Sequence, residues 1–337
     1  MTDNSASIQL IQRELKARNR FLITSHASPD GDSIGSQLAM ACALEKLGKS
    51  VRIVNSDPVP EPYLGLPGIE RIETARTIDS EYDAVIVMEC TDLARPQIDG
   101  LEHYFLINID HHLGNKNYGA INWFDPTAAA CGEMVYEIIS GIGITLDLEI
   151  ATYIYLCILT DTGSFRHSNV TSRTFEICHR LVDTGVDPIG MSRMVFDNDK
   201  IGRLKLISLL LERMELDDSG RVAILSLDQS ILEDTECTYD DTEGLVNLPL
   251  SVRQILAVMI LKHVSPNNLR VSLRSKDDVD IRQIATRHGG GGHKNAAGFT
   301  ANGHPETVKA TILKEIVEVV NLVSENHAGR HERRISY

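Results

Sequence analysis

The sequence contains no C-x-x-C pair. Its six cysteines, Cys42, Cys90, Cys131, Cys157, Cys178 and Cys237, are scattered and mostly set in apolar surroundings. That spacing excludes a zinc knuckle and argues against a disulfide framework, so they read as buried free thiols in a reducing compartment. No apolar run approaches the length of a membrane span, and Met1 to Asn19 lacks the apolar core of a secretory signal. The expectation is a soluble, cytoplasmic chain with no membrane partner. Basic residues are also in deficit: 33 Lys and Arg stand against 47 Asp and Glu, for a net charge of -14. Proteins that grip long nucleic acid do so through a basic face, so a long duplex is a poor main partner. A small anion held through metal ions fits better, because the metals then supply the positive charge. No repeat recurs at solenoid periods.

What is present is an α/β pattern over 337 residues, enough for two domains. Ile8 to Leu15 carries apolar residues at helical spacing. Phe21 to Thr24, Val51 to Val54, Ala84 to Met88 and Phe105 to Ile109 are short apolar runs, as in buried strands. Helical patterns occupy Asp32 to Leu47, Ala128 to Ser140, Leu146 to Leu159 and Ser172 to Thr184. Fully apolar strands alternating with helices predict a parallel sheet with helices on both faces. Pro188 and polar breaks mark Gly185 to Lys200 as a linker, followed by the amphipathic helix Ile201 to Met214. A smaller α/β unit then starts near Arg221. It has strands at Val222 to Leu225, Ile255 to Leu261 and Leu269 to Leu273, a short helix at Ile281 to Arg287, and a terminal helix from Glu306 to Val323. The divisions are 1–186, a linker and connecting helix at 187–215, a second domain at 216–326, and a polar, frayed tail at 327–337.

Four segments place acidic and histidine residues after apolar runs, where open parallel sheets bind ligands. The first is His26, Asp30 and Asp32, on a turn shaped by Pro29 and Gly31. Either carboxylate could simply cap the following helix. The second is Glu89, with Asp92 behind it, which could be a solvated strand end. The third is Asp110-His111-His112, where a buried, hydrogen-bonded histidine is the ordinary alternative. The fourth is Asp161, which could belong to a helix C-terminal turn ended by Gly163. Nearby Arg166 could be a surface residue or a phosphate clamp. Together these segments form a mixed carboxylate and imidazole set without thiolates. Such a set suits Mn²⁺, with Mg²⁺, Co²⁺ and Fe²⁺ as competitors. Six ligands exceed what one ion uses, so a pair about 3.5–4 Å apart is the natural arrangement. Further on, Gly289 to Gly292, then His293 and Ala296-Ala297-Gly298, could be a hinge or a backbone cradle for phosphate.

S-H-A-S-P-D-G-D-S-I-G (from Ser25), I-D-H-H (from Ile109), L-T-D-T-G-S-F-R (from Leu159) and H-G-G-G-G-H-K-N-A-A-G-F (from His288) together resemble the DHH phosphoesterase family. The last motif belongs to its C-terminal DHHA1 domain. The resemblance spans nearly the whole chain. It implies that His26 and Asp30 bind one metal, that Asp32, His111 and Asp161 bind the other, and that the acidic residue of the second segment bridges both. It further implies that His112 sits over the scissile phosphate as ligand or proton donor, and that Asp110 orients the histidines. The family usually has Asp where this chain has Glu89; Asp92 is the reserve. Gly290, Gly291, Gly292 and His293 would hold a substrate phosphate or terminal nucleotide. Arg270, Ser272 and Arg274 on the preceding strand are candidate contacts to a distal phosphate or base.

The activity this implies is hydrolysis of very short RNA oligonucleotides or linear dinucleotides to 5'-mononucleotides, with 3'-phosphoadenosine-5'-phosphate to AMP as the nearest variant. The alternatives are an inorganic pyrophosphatase or polyphosphatase of the same superfamily, and a non-catalytic nucleotide-binding regulatory module. The helix Ile201 to Met214 could pack inside the chain or against a second subunit, which leaves a homodimer open.

Overall fold

The computed structural model describes residues 5–242 and 244–334; the side chains of Asp240, His293 and residues 324–334 lie outside the description. The chain divides into two compact units, with the boundary between Asn198 and Asp199. The break thus falls inside the stretch read as a linker. Among the described residues, no helix is long and apolar enough to cross a membrane.

The first unit contains α1 (Ser5–Ala17), β1 (Arg20–Thr24), α2 (Gly31–Lys46), β2 (Ser50–Asn55), β3 (Ile72–Thr74), β4 (Ala84–Met88), β5 (Leu106–Asp110) and β6 (Ile121–Phe124). It continues with α3 (Cys131–Ile142), α4 (Leu148–Asp161), α5 (Ser172–Asp183) and α6 (Pro188–Phe196). Its six strands are all parallel, in the order β3-β2-β1-β4-β5-β6. The chain runs to one side after β1 and to the other after β4, so the topological switch lies between these two neighbours. The crevice at their carboxyl ends is where such sheets bind ligands.

Strand side chains alternate between two cores. Phe21, Ile23, Ile86, Met88, Ile107 and Ile109 join the cluster built with the α-helices. Leu22, Val85 and Val87 pack instead with Ile98 and Leu101, from a segment whose only helix is the single turn Leu101–His103. Helical cover is therefore unequal on the two faces. The central helix α2 is buried from Gly31 through Leu44, the polar Asp32, Ser33, Ser36 and Gln37 included. Truncating one of its core residues, such as Leu38, should cost roughly 2–5 kcal/mol. Glycine lets α2 approach α4 closely. A Cβ at Gly31 would sit 2.5 Å from Thr160 Cγ2, and one at Gly35 would sit 2.5 Å from the Tyr153 carbonyl.

The second unit contains α7 (Ile201–Glu212), β7 (Glu215–Leu216), β8 (Val222–Leu227), α8 (Gln229–Thr235), β9 (Ala257–Ser265) and β10 (Asn268–Ser275). It ends with α9 (Arg282–Arg287), β11 (Gly291–His293), β12 (Ala296–Asn302) and α10 (Pro305–Arg334). The strand order is β11-β12-β10-β9-β8-β7, with β8 and β9 parallel and the other pairs antiparallel. Leu269, Val271 and Leu273 of β10 face a core shared with Ile284 of α9 and Ile312 and Ile316 of α10. The alternate residues Arg270, Ser272 and Arg274 lie on the opposite face.

Several elements depart from the sequence reading. The stretch Gly185 to Lys200 contains α6, because Pro188 occupies the first helical turn behind the cap Asp187 and so starts a helix. The second half of the glycine run, Gly291 and Gly292, is ordered in a strand, β11, where a hinge was the alternative. The terminal helix extends past Val323, and residues 335–337 of the expected tail lie outside the described residues.

Candidate metal centre

The loops after β1, β4 and β5 converge, because those three strands are adjacent. Asp161 joins them from a different kind of element. It is the last residue of helix α4, not the end of a strand, and the close α2–α4 contact brings it alongside the first turn of α2.

Asp30 fulfils the capping reading made of it. Its Oδ1 caps α2 by accepting from the Ser33 amide at 2.9 Å, while its Oδ2 lies 3.8 Å from His26 Nε2. The Nδ1–H of His26 donates to the Ala27 carbonyl at 2.8 Å, which leaves Nε2 facing the Ser33 hydroxyl at 2.8 Å. Asp32 is wholly buried. Its two oxygens accept from the amides of Cys131 and Gly132, at 2.6 and 3.0 Å, at the start of α3. A helix N-terminus supplies unpaired N–H groups and a favourable dipole for such a carboxylate.

His111 is the hub. Its Nδ1–H donates to the Ala128 carbonyl at 3.1 Å, and its Nε2 lies 3.8 Å from Asp32, 3.6 Å from Glu89 and 3.5 Å from Asp161. Glu89 directly follows β4 in a left-handed backbone conformation, φ 61°. Bulky residues avoid that region, and such strain concentrates at functional sites. Its other oxygen lies 3.5 Å from His112 Nδ1. His112 is also held by Asp110, whose Oδ1 accepts from Nδ1–H at 2.9 Å while Oδ2 accepts from Asn115 at 2.6 Å.

These groups perturb one another. Burial, followed by the neighbouring Glu89 and Asp161, holds the Asp32 carboxyl well above the usual range. Burial, with Glu89 and Asp30 nearby, pushes Asp161 up to about 6. Burial opposes a charge on His111, yet Glu89, Asp32 and Asp161 together push it up to about 11. Asp110 behaves in the opposite sense: burial is outweighed by hydrogen bonds from His112 and Asn115, which hold it low and in turn raise His112. Carboxylates crowded this closely repel one another unless a cation lies among them.

The donor set fits divalent metal. Both Glu89 oxygens and His111 Nε2 are buried without a hydrogen-bond partner, and such orphaned groups are costly unless something coordinates them. Asp32, His111 and Asp161 present ligand atoms within 4.8 Å of one another, as do Glu89, His111 and His112. Asp92, the reserve candidate, is instead ion-paired with Lys116. Arg166 is exposed, and its Nε donates to the Gly163 carbonyl at 2.9 Å. Asn115 and the two amides at the start of α3 were not anticipated. A backbone amide has no sequence signal, whereas a polar residue just past Asp110-His111-His112 is a weak one.

In the second unit, Arg270, Ser272 and Arg274 pair across the antiparallel register with Thr300, Gly298 and Ala296. Small partners on that face leave a cavity of about 530 Å³, lined also by Gly291 and Gly292. Of the glycines read as a phosphate cradle, Gly290 and Gly292 are required by packing. A Cβ on them would meet the carbonyls of Gly298 and Ala296 at 2.2 and 2.3 Å, whereas Gly291 is open. Gly290 does not line the cavity. The backbone of His293 lies in β11, and its side chain lies outside the described residues.

A buried carboxylate and imidazole cluster at the switch point of a parallel sheet defines the first unit as a metal-dependent hydrolase domain. Residues 20–158 match the DHH family, N-terminal domain, and residues 220–322 match the DHHA1 domain. The chain belongs to the DHH family and is a phosphoesterase of that family. It is 31% identical to the bifunctional oligoribonuclease and PAP phosphatase NrnA of Thermus thermophilus, covering 88% of this chain and 89% of that one. It is 29% identical to the probable enzyme of the same name from Streptococcus mutans, over 92% and 98% of the two chains. Among solved structures, an exopolyphosphatase-related protein from Bacteroides fragilis superposes with a TM-score of 0.85 at 26% identity, covering 93% of this chain and 96% of that one.

Proposed function

We propose that this chain hydrolyses very short RNA oligonucleotides and linear dinucleotides to 5'-mononucleotides, and also converts 3'-phosphoadenosine-5'-phosphate to AMP. The observation that carries this reading is the convergence of His111 Nε2 with Asp32, Glu89 and Asp161. The names of the two curated relatives supply the substrate class. His26, Asp30, Asp32, Glu89, His111 and Asp161 are the proposed ligands of two divalent ions, with Mn²⁺ as the first choice for hard oxygen and imidazole donors. Bound there, such ions supply an activated water near neutral pH and neutralise charge on the phosphoryl group.

The chain's own residues do the rest. Asp110 holds the Nδ1–H of His112, which leaves Nε2 to bind the phosphoryl group or to give a proton to the departing 3'-oxygen. Glu89 lies within reach of both histidines and is the proposed bridge. In the second unit, Arg270 and Arg274 flank Ser272 across an open, small-residue face, suited to a phosphate or terminal nucleotide. The net charge of -14 favours short substrates over long polyanions. Buried free thiols support a reducing, cytoplasmic setting. Exposed Ile201, Leu204 and Leu211 on α7 leave room for a homodimer.

A substrate panel tests the reading. Di- to pentaribonucleotides, pGpG, pApA, 3'-phosphoadenosine-5'-phosphate and pyrophosphate are incubated with Mn²⁺ or with EDTA. The expected result is Mn²⁺-dependent release of mononucleotides. Release of orthophosphate from pyrophosphate, with no action on dinucleotides, would favour a pyrophosphatase instead.

A further inference from the structure

The loop from Asp125 to the start of α3 touches the proposed centre more often than any sequence motif suggests. The Ala128 carbonyl takes the Nδ1–H of His111 at 3.1 Å, and the Cys131 and Gly132 amides grip Asp32. Asn169 donates both to the Ala129 carbonyl, at 2.8 Å, and to that of Asp161, at 3.2 Å, tying the loop to a third segment. The 125–133 loop therefore acts as a strap around three proposed ligands.

One side chain faces both ends of this strap. Arg173, on α5, donates to Asp125 at 3.0 Å through Nη1, and it forms ion pairs without hydrogen-bond geometry with Glu133, 3.4 Å from Nε, and with Glu137, 2.8 Å from Nη2. Each carboxylate also secures the strap locally. Asp125 accepts from the amide and hydroxyl of Thr127, and Glu133 accepts from the amide of Ala129 at 3.2 Å. Glu133 is wholly buried and Asp125 nearly so. A buried ionic network of this kind adds little to stability compared with apolar packing, so geometric definition is the better account of it. A planar guanidinium can direct one N–H at Asp125 while keeping its charge beside Glu133 and Glu137, a span that a compact ammonium does not reproduce.

We propose that Arg173 is a positioning residue for the metal centre: by pinning both ends of the 125–133 strap, it fixes the ring of His111 and the carboxylate of Asp32 for coordination. This rests on the reading of those two residues as metal ligands.

The full-length parent, Arg173→Ala, Arg173→Lys and a control, Leu181→Ala, are compared. Leu181 is a buried α5 residue with no part in the strap. Mn²⁺ affinity is measured by calorimetry well below the melting temperature, melting is followed in EDTA, and turnover is titrated against Mn²⁺. Removing a group that orients metal ligands commonly weakens metal binding about 10–100-fold. Arg173→Ala should show that loss, Arg173→Lys should fall between it and the parent, and both should regain turnover at saturating Mn²⁺. Leu181→Ala should melt lower with Mn²⁺ affinity unchanged. Parent-like Mn²⁺ affinity in Arg173→Ala would overturn the proposal, and so would equal weakening in Leu181→Ala. If Arg173→Ala does not fold, Arg173→Lys decides, and parent-like affinity there overturns the proposal. A parent that binds no Mn²⁺ removes the metal reading itself and this inference with it.

Discussion

The metal centre of the first unit and the arginine-lined face of the second are polar surfaces of opposite sign and opposite construction. The first lies at the carboxyl edge of a parallel sheet, where loops from adjacent strands meet. Its acids crowd and repel one another, and of them the buried Glu89 has no hydrogen-bond partner. The second is the outward side of an antiparallel sheet, where strict alternation puts Leu269, Val271 and Leu273 in the core and Arg270, Ser272 and Arg274 outside. Its cations are spread over an open surface. The first surface leaves buried acceptors without partners, whereas the second is an open face that carries two arginines. The proposed reaction uses both, and each lies in its own unit.

Breaking the first surface should have the larger effect. Asp110→Ala combined with His111→Ala removes cooperating groups and should lower kcat/KM by at least about 10⁴-fold, with Mn²⁺ binding lost in calorimetry. His112→Ala should lower kcat about 10²–10⁴-fold, the range for one proton donor, while Mn²⁺ stays bound; loss of Mn²⁺ there would reassign His112 as a ligand with Glu89. Breaking the second surface should act on binding. Arg270→Ala with Arg274→Ala should raise KM about 10–100-fold, from the loss of charge-assisted contacts, with kcat nearly unchanged and with a weaker dependence of KM on salt.

The smallest effect is on stability. A carboxyl whose folded pKa lies above its unfolded one stabilises the fold at low pH and loses that contribution as the pH rises between the two. For Asp161 that window runs from 3.8 to about 6. Above it, the metal-free fold carries the cost of an ionised Asp161. Asp161→Asn should therefore stabilise the metal-free protein at pH 7.5 by on the order of 1–3 kcal/mol. The gain should fade below about pH 5 in thermal melts made with EDTA. No gain at pH 7.5 would show that the acids of this centre do not repel as described.

The two surfaces also differ in how much of them the sequence revealed. Apolar runs such as Ala84 to Met88 located the central strands, but the adjacency of β1, β4 and β5 comes from the strand order, which no single run specifies. The residues His26, Glu89 and His111 were legible because each stands within two positions of such a run, and Asp30 and Asp32 because they share the turn with His26. Asp161 was legible as an acid at a helix end, but not its place beside α2, since Leu146 to Leu159 says nothing about where α4 packs. That depends on contacts such as Gly31 against Thr160, far apart in the chain. Strands β6 and β12 were missed because I-N-W-F and A-A-G-F lack a sustained apolar run and gain order only from their neighbours. The strap held by Arg173 was invisible, because it works through backbone amides and carbonyls.

The central claim is that His26, Asp30, Asp32, Glu89, His111 and Asp161 jointly hold two divalent ions. Diffraction from a crystal grown with Mn²⁺, collected at the manganese absorption edge, tests this directly. The account predicts two anomalous peaks bounded by these six side chains, with Glu89 touching both. Peaks bound elsewhere, or none within this cluster, would contradict it.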